Sequence, residues 1–253
     1  MTDTINVLDK GYVRLVDTLG NDLSVVNAAR VSYDKEVEEL SPKDERLLTF
    51  LANNDHTSPF RHAALTFEVY APLMVARQWW KYAVASSHVD DQNGWNESSR
   101  RYITEEAEFY VPDTNEWRSA PENSKQGSGP AIDSVSDEEF TSMLLDDSVD
   151  WNVPRLGNYY TKQLNHMVKL GELYYEQAIQ NGVAPELARL FLPAYGMYVR
   201  WRWTTSLHGV LNFLDQRIPH DAQSEIRQYA VAVQELSRGA FPKTFEAWGI
   251  PAC

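Results

Sequence analysis

Hydrophobic and polar residues alternate with a period of two along Gly11–Leu19 (GYVRLVDTL), and again where Leu65, Phe67 and Val69 interleave with Thr66, Glu68 and Tyr70. Both patterns predict half-buried strands. A third alternating run, Tyr198–Thr205 (YVRWRWTT), interleaves tryptophan with arginine, so one face packs and the other is cationic. Elsewhere the period lengthens to that of a helix. Asn21 or Asp22 is placed to cap a helix through about Arg30, and Ser41-Pro42 starts another with Leu47, Leu48 and Leu51 as its buried stripe. Pro72 ends the second strand and stands at a permitted first-turn position of a helix running to about Ser86.

The second half of the chain is read in the same way. Glu108–Val111 is a short strand. Tyr160, Leu164, Met167, Tyr174 and Ala178 form one helical face, expected to pack as core, that stops at Asn181-Gly182. Ala184-Pro185-Glu186 opens a helix that carries Arg189 and ends before Pro193. Ser206 is placed to cap Leu207–Arg217. Asp221 is placed to cap a last long helix, with Ile226, Tyr229, Ala230 and Val233 inward and Gly239 at its end. Between these halves, Trp117–Val149 is dominated by Pro, Ser, Gly and acids, with SKQGSGP at its heart. It is expected to be a polar, acidic surface excursion at about 117–149, with a short helix near Asp137–Leu145, rather than a second domain. A chain of 253 residues can bury one substantial core, and residues 1–253 are read as a single domain. There is no internal repeat and no glycine-rich strand-to-helix turn, so no Rossmann unit is expected.

Charge and cysteine content narrow the function classes. The net charge of −13 argues against a general nucleic-acid binder. It is concentrated: Ile103–Asp150 holds thirteen carboxylates against Arg118 and Lys125, a net of −11 that leaves −2 elsewhere. A near-neutral body with arginine clusters can hold an anionic small molecule. No apolar run approaches the ~18–20 residues that span a bilayer, and no secretory signal opens the chain, so a cytoplasmic protein without membrane contact is expected. The sole cysteine is Cys253, which excludes an intrachain disulfide and disfavours a cysteine nucleophile. His56 and His62, six residues apart, match no common zinc spacing, and no metal is expected.

The densest chemistry lies between Arg77 and Tyr102. Asn96-Glu97-Ser98-Ser99-Arg100-Arg101-Tyr102 combines an amide, a carboxylate, two hydroxyls and two guanidinium forks, a set suited to a phosphate and a hydrogen-bonding ring. The same run is also what a solvated helix end followed by a charged loop would contain. Trp79 and Trp80 beside Gln78 and Lys81 favour a flat heterocycle.

ARQWWKYAVAS followed by NESSRRY resembles the signature of the flavin-dependent thymidylate synthases. GNDLSVVNAARVSYD resembles that family's opening block, with Ser32 at its serine, and His56–His62 resembles its histidine–Ser-Pro-Phe–histidine turn, with Ser58 at the hydroxyl position. The resemblance implies an α+β fold with a central antiparallel or mixed sheet flanked by helices, in a homotetramer with shared active sites. It implies FAD-dependent reductive methylation of dUMP to dTMP, with methylenetetrahydrofolate as carbon donor, NADPH as reductant and no cysteine nucleophile. By the same resemblance, dUMP meets Gln78, Trp79, Trp80, Lys81, Glu97, Ser98, Ser99, Arg100, Arg101, Arg189 and Arg217, and Arg217 is the catalytic group that promotes uracil ionisation. FAD meets Ser58, Lys81, Tyr82, Ala83, Glu97, Ser206, Leu207, His208 and Asn212. Lys81-Tyr82-Ala83 replaces a family Arg-His-Arg triplet, and the spacer between Ser86 and Asn96 is longer than usual. The alternative is a nucleotide-binding or regulatory protein of the same fold that has lost flavin chemistry.

Overall fold

The computed structural model describes residues 4–81, 94–98, 106–122, 127–146 and 156–250. It separates into two compact units, one built from Met1–Ser98 with Val199–Cys253 and the other from Ser99–Tyr198.

The first unit is built on a five-stranded sheet. Its strands are β1 (Thr4–Val7), β2 (Gly11–Leu19), β3 (Ala64–Pro72), β4 (Gly94–Glu97) and β5 (Tyr198–Ser206), in the order β1-β2-β3-β5-β4. β1–β2, β2–β3 and β4–β5 pair antiparallel, and the β2–β3 register shifts between Leu15 and Asp17. The period-two pattern does what was expected of it: Val13, Leu65, Phe67, Val69, Trp201 and Trp203 are buried. Helices α3 (Leu73–Trp79), α7 (Leu207–Arg217) and α8 (Ser224–Arg238) supply Trp79, Phe213 and Tyr229; Trp79 packs with Trp201, Trp203, Phe213 and Tyr229, and Phe213 also with Trp203. Tyr229 also donates its hydroxyl to Tyr70 O at 2.9 Å. That approach requires Gly11, where an added Cβ would stand 1.8 Å from the Tyr229 hydroxyl oxygen.

Capping residues fix the helix starts. Asn21 accepts from Ser24 N at the head of α1 (Asp22–Arg30), after Gly20 turns the chain at φ 79°. Ser41 heads α2 (Pro42–Asn53), with Asp44 returning the bond to Ser41 N at 2.9 Å. The expected helix cap at Asp221 is not found: α8 begins at Ser224, and Gln223 occupies the cap position. The Pro219–Ala222 turn uses Asp221 before the helical dihedrals begin.

In the second unit, α4 (Asp137–Leu144), α5 (Gly157–Gln180) and α6 (Pro185–Ala188) follow one another, with a 3-10 turn at Arg189–Phe191. The expected strand at Glu108–Val111 is reduced to one bridge, Phe109 to Met197. The described part of the acidic excursion is anchored to α5. Asn158 exchanges bonds with Val135 N and O (2.9 and 3.0 Å), and Trp117 Nε1 donates to Thr161 Oγ1 at 2.8 Å. The apolar face of α5 was expected to be core, and here the structure differs. Met167 is 58% exposed, and Tyr160, Leu170, Leu173 and Tyr174 are exposed with it. Neighbouring Leu190 and Phe191 are 78% and 52% exposed. A helical stripe predicts burial but not whether its cover comes from the same chain.

Candidate functional site

The sequence-predicted groups of the first unit lie at the end of α3, at the end of β4 and along α7. Helical periodicity sorts the α3 group. Trp79 turns inward and is 1% exposed, stacked on Phe213 at 4.4 Å and edge-on to Trp201 and Trp203 at 5.5 and 5.4 Å. Its ring is a packing element, and it fixes the helix that carries its neighbours. Gln78 and Trp80 are half-buried, and Lys81 is exposed. Gln78 Nε2 donates to Gln223 Oε1 and lies 3.5 Å from Met74 O, which ties the end of α3 to the start of α8.

The polar motif begins as a strand rather than a loop. Asn96 stands opposite Arg202 and Glu97 opposite Trp201, and Ser98 N continues the ladder by donating to Arg200 O at 2.8 Å. Asn96 and Glu97 are exposed, and Ser98 is half-buried. The backbone of Gly94 and Trp95, at the end of the long spacer, belongs to this strand. Ser87–Asn93, together with Tyr82, Ala83, Ser99, Arg100 and Arg101, lies outside the described residues.

Helix α7 addresses two different places. At its start, Ser206 Oγ accepts from Gly209 N at 3.1 Å, and Leu207 N donates to Ala63 O at 2.8 Å. The second bond joins the head of α7 to Ala63, two residues beyond the 3-10 turn Ser58–Arg61, on which Ser58 is exposed. Phe60, Trp248 and His208 complete the junction, with Trp248 5.0 Å from the Phe60 ring and 6.2 Å from His208. Asn212 and His208 are half-buried, one turn apart on α7. Arg217, half-buried, is the last residue of α7, roughly 16 Å from Ser206 at the helical rise of about 1.5 Å per residue. A ligand group at the head and another at the tail are therefore separate parts of a large molecule or separate molecules. In the second unit, Arg189 is exposed and its Nε donates to Glu186 O at 3.3 Å.

The sequence pattern did not single out one further charged cluster, on the other face of the sheet. Glu68 accepts from the Tyr12 hydroxyl at 2.8 Å, pairs with Arg14 at 2.8 Å and stands 3.6 Å from Arg202 Nε. Burial alone would raise the Glu68 carboxyl, but the Tyr12 hydroxyl and the Arg14 and Arg202 guanidiniums hold it below the ordinary carboxylate range. Burial and the bond to Glu68 push the Tyr12 phenol up. Arg200 lies over the Tyr70 ring at 5.3 Å. The alternating Trp–Arg run supplied the signal that β5 has a cationic face, but Glu68 as its counter-charge required the strand order.

Among the described residues no group of three His, Cys, Asp or Glu side chains is placed to hold a metal ion. The polar groups on α7, the Ser58 turn and the β4 end are hydroxyls, amides, an imidazole and a carboxylate, with large aromatic rings on the same elements. Such a set suits an aromatic heterocycle carrying polar and anionic substituents.

The family model described as thymidylate synthase complementing protein (Thy1) matches residues 14–243. The chain is 36% identical over 247 residues to a flavin-dependent thymidylate synthase of Thermotoga neapolitana, covering 96% of this chain and 93% of that protein. It is also 36% identical over 247 residues to one from Thermus thermophilus, covering 97% of this chain and 78% of the relative. Among solved structures it resembles a UMP/dUMP methylase, PolB from Streptomyces cacaoi, bound with 5-Br dUMP. The TM-score is 0.74 and the identity 25%, with 97% of each chain covered.

Proposed function

The chain belongs to the flavin-dependent thymidylate synthase family, a family of methyltransferases, and from that premise we propose that it methylates dUMP to dTMP with FAD as its redox cofactor. Methylenetetrahydrofolate is the proposed carbon donor and NADPH the proposed reductant. The observation that carries this reading is the arrangement within the first unit. Family-motif residues from four distant stretches (Ser58, Gln78–Trp80, Glu97–Ser98 and Ser206–Arg217) are held on elements joined by direct hydrogen bonds or ring packing. A protein that only shared the fold would not need these side chain types to be retained together.

The residues present fit a flavin. FAD would be held by Ser58, Lys81, Tyr82, Ala83, Glu97, Ser206, Leu207, His208 and Asn212, with the positive dipole end at the start of α7 favouring an anionic group. When bound, the flavin supplies the reducing equivalents of the methylation. dUMP would meet Gln78, Trp80, Lys81, Glu97, Ser98, Ser99, Arg100, Arg101, Arg189 and Arg217. The buried Trp79 would contribute by holding the end of α3 in place. The arginines bind phosphate well because a guanidinium is permanently charged and donates through two parallel N–H groups. The Arg217 guanidinium would stabilise negative charge on a uracil ring, which raises the nucleophilicity of C5.

We further propose a homotetramer with shared active sites; the exposed apolar face of α5 with Leu190 and Phe191 supports subunit contact. Residues 1–253 would then act as one domain in that assembly.

The test is the purified protein itself. A yellow preparation absorbing near ~450 nm, a general property of flavins, that forms dTMP from dUMP, methylenetetrahydrofolate and NADPH is the expected result. Cys253→Ala should retain that turnover, since the proposed chemistry uses no thiol. A colourless protein that binds dUMP but makes no dTMP with added FAD would instead favour the nucleotide-binding alternative.

A further inference from the structure

The hydrogen bonds around Gln78 form a chain with a fixed direction. Glu225, buried on α8, offers a carboxylate oxygen, Oε2, to Gln223 Nε2 at 2.8 Å. A carboxylate accepts, so the Gln223 amide must turn its nitrogen toward Glu225. The second hydrogen of that nitrogen faces Met74 Sδ at 3.8 Å. Gln223 Oε1 is thereby turned to Gln78, where it accepts from Gln78 Nε2. Gln78 Nε2 has its second acceptor in Met74 O at 3.5 Å. Both amide nitrogens are thus committed, and the orientation of each follows from the carboxylate at the end of the chain. Among the described residues Gln78 Oε1, a pure acceptor, has no hydrogen-bond partner.

We propose that Glu225 and Gln223 are positioning residues that lock the Gln78 amide with its oxygen toward the substrate, so that Gln78 recognises a hydrogen-bond donor of the nucleotide and not its phosphate. The inference rests on the proposed binding of dUMP beside Gln78. It narrows the contact sharply, because fully ionised dUMP carries two donors, the ring N3–H and the 3′-hydroxyl. A phosphate oxygen against Gln78 Oε1 would set two acceptors face to face. The lock also explains the composition of the α8 start. Gln223 occupies the cap position there but makes no side-chain cap bond, because its amide is engaged by Glu225 and Gln78.

The test is a comparison of ligands across two variants, Gln223→Met and Glu225→Gln. Gln223 is half-buried and lies outside the helix body, so the first variant keeps the fold testable if the second, at a buried position, does not fold. Equilibrium binding is measured with dUMP, with its N3-methyl analogue and with 2′,3′-dideoxyuridine monophosphate. The expected result for Gln223→Met is dUMP binding weakened about three- to tenfold, the range of a single hydrogen bond. That weakening should disappear for one of the two analogues, the one lacking the donor that Gln78 contacts. A merely structural role would weaken all three ligands alike, and that outcome overturns the proposal, as does unchanged dUMP affinity. Failure of the wild-type protein to bind dUMP would overturn the functional reading itself, and this is seen before any variant is made.

Discussion

Asp22 and Thr244, more than two hundred residues apart, form one helix cap: Asp22 Oδ1 accepts from the Thr244 amide at 2.8 Å and from its hydroxyl at 2.6 Å. The other oxygen, Oδ2, accepts from Lys243 N at 2.8 Å. The first residue of α1 therefore satisfies amides at the head of the last helix, α9 (Pro242–Ala247), that have no acceptor within that helix, and Phe241, which precedes it, supplies no side-chain cap.

Asp22→Ala should destabilise the protein by about 2 kcal/mol, because it removes a charge-assisted cap and leaves buried donors unsatisfied. Asp22→Asn should recover part of the loss, since one amide oxygen still accepts. Urea denaturation of the three proteins checks the order, and equal midpoints for wild type and alanine would refute the cap as a stabilising contact.

Asp44 supplies a pH dependence. Burial alone would raise this carboxyl, but Ser41, through its hydroxyl and amide, and the Arg30 guanidinium hold it below the ordinary carboxylate range. A depressed folded-state value means stability that is present above the unfolded value, near ~3.9, and lost as pH falls toward and through the lower folded value. The stability advantage of wild type over Asp44→Asn should be constant from neutrality to about pH 5 and should shrink at more acid pH. An advantage that grows on acidification would show the sign to be wrong.

Trp79 and Trp80 should separate cleanly. Trp79→Ala should cost about 3–5 kcal/mol, the usual range for emptying an aromatic core position. Trp80→Ala, at a half-buried position, should cost less stability and more dUMP affinity. Paired denaturation and binding curves decide, and equal stability losses would remove the distinction.

Arg217→Lys should damage methyl transfer more than dUMP binding. The ammonium keeps the charge but loses the planar pair of donors needed to hold an ionised ring. The measurement is single-turnover dTMP formation with pre-reduced enzyme and saturating dUMP, beside direct dUMP binding. A slowing of tenfold or more, about 1.4 kcal/mol of barrier, is expected. If only affinity changes, Arg217 grips the ground state; if neither changes, it serves the helix C-terminus alone.

Elements whose signals are local were legible in the sequence. Ser206 caps α7 three residues before its partner amide, and Phe67 and Val69 announce their face by alternation within one strand. Elements that depend on distant partners were not. GWNE offers no strand pattern of its own, and becomes β4 because residues about a hundred positions away present a free edge. TINV and PKTFEA, the short β1 and α9, likewise take their shape from neighbours. The same division runs through the site. The residues proposed to meet ligands carry a motif signal of their own, whereas the inward turn of Trp79 and the bond from Gln78 across to Gln223 follow only from tertiary packing.

β4 is an edge strand, four residues long and, among the described residues, paired along one side only. A short outer strand can detach in a small local fluctuation, without melting the sheet behind it. The motif residues Glu97 and Ser98 ride on this strand and its continuation, so lifting the edge is expected to displace these two proposed dUMP contacts while the sheet behind them stays folded. Deuterium uptake at Ser98 NH, whose hydrogen bond to Arg200 O breaks when the edge lifts, would report that fluctuation directly. A nucleotide that holds the motif down would register as slowed uptake there even under conditions where no product is made.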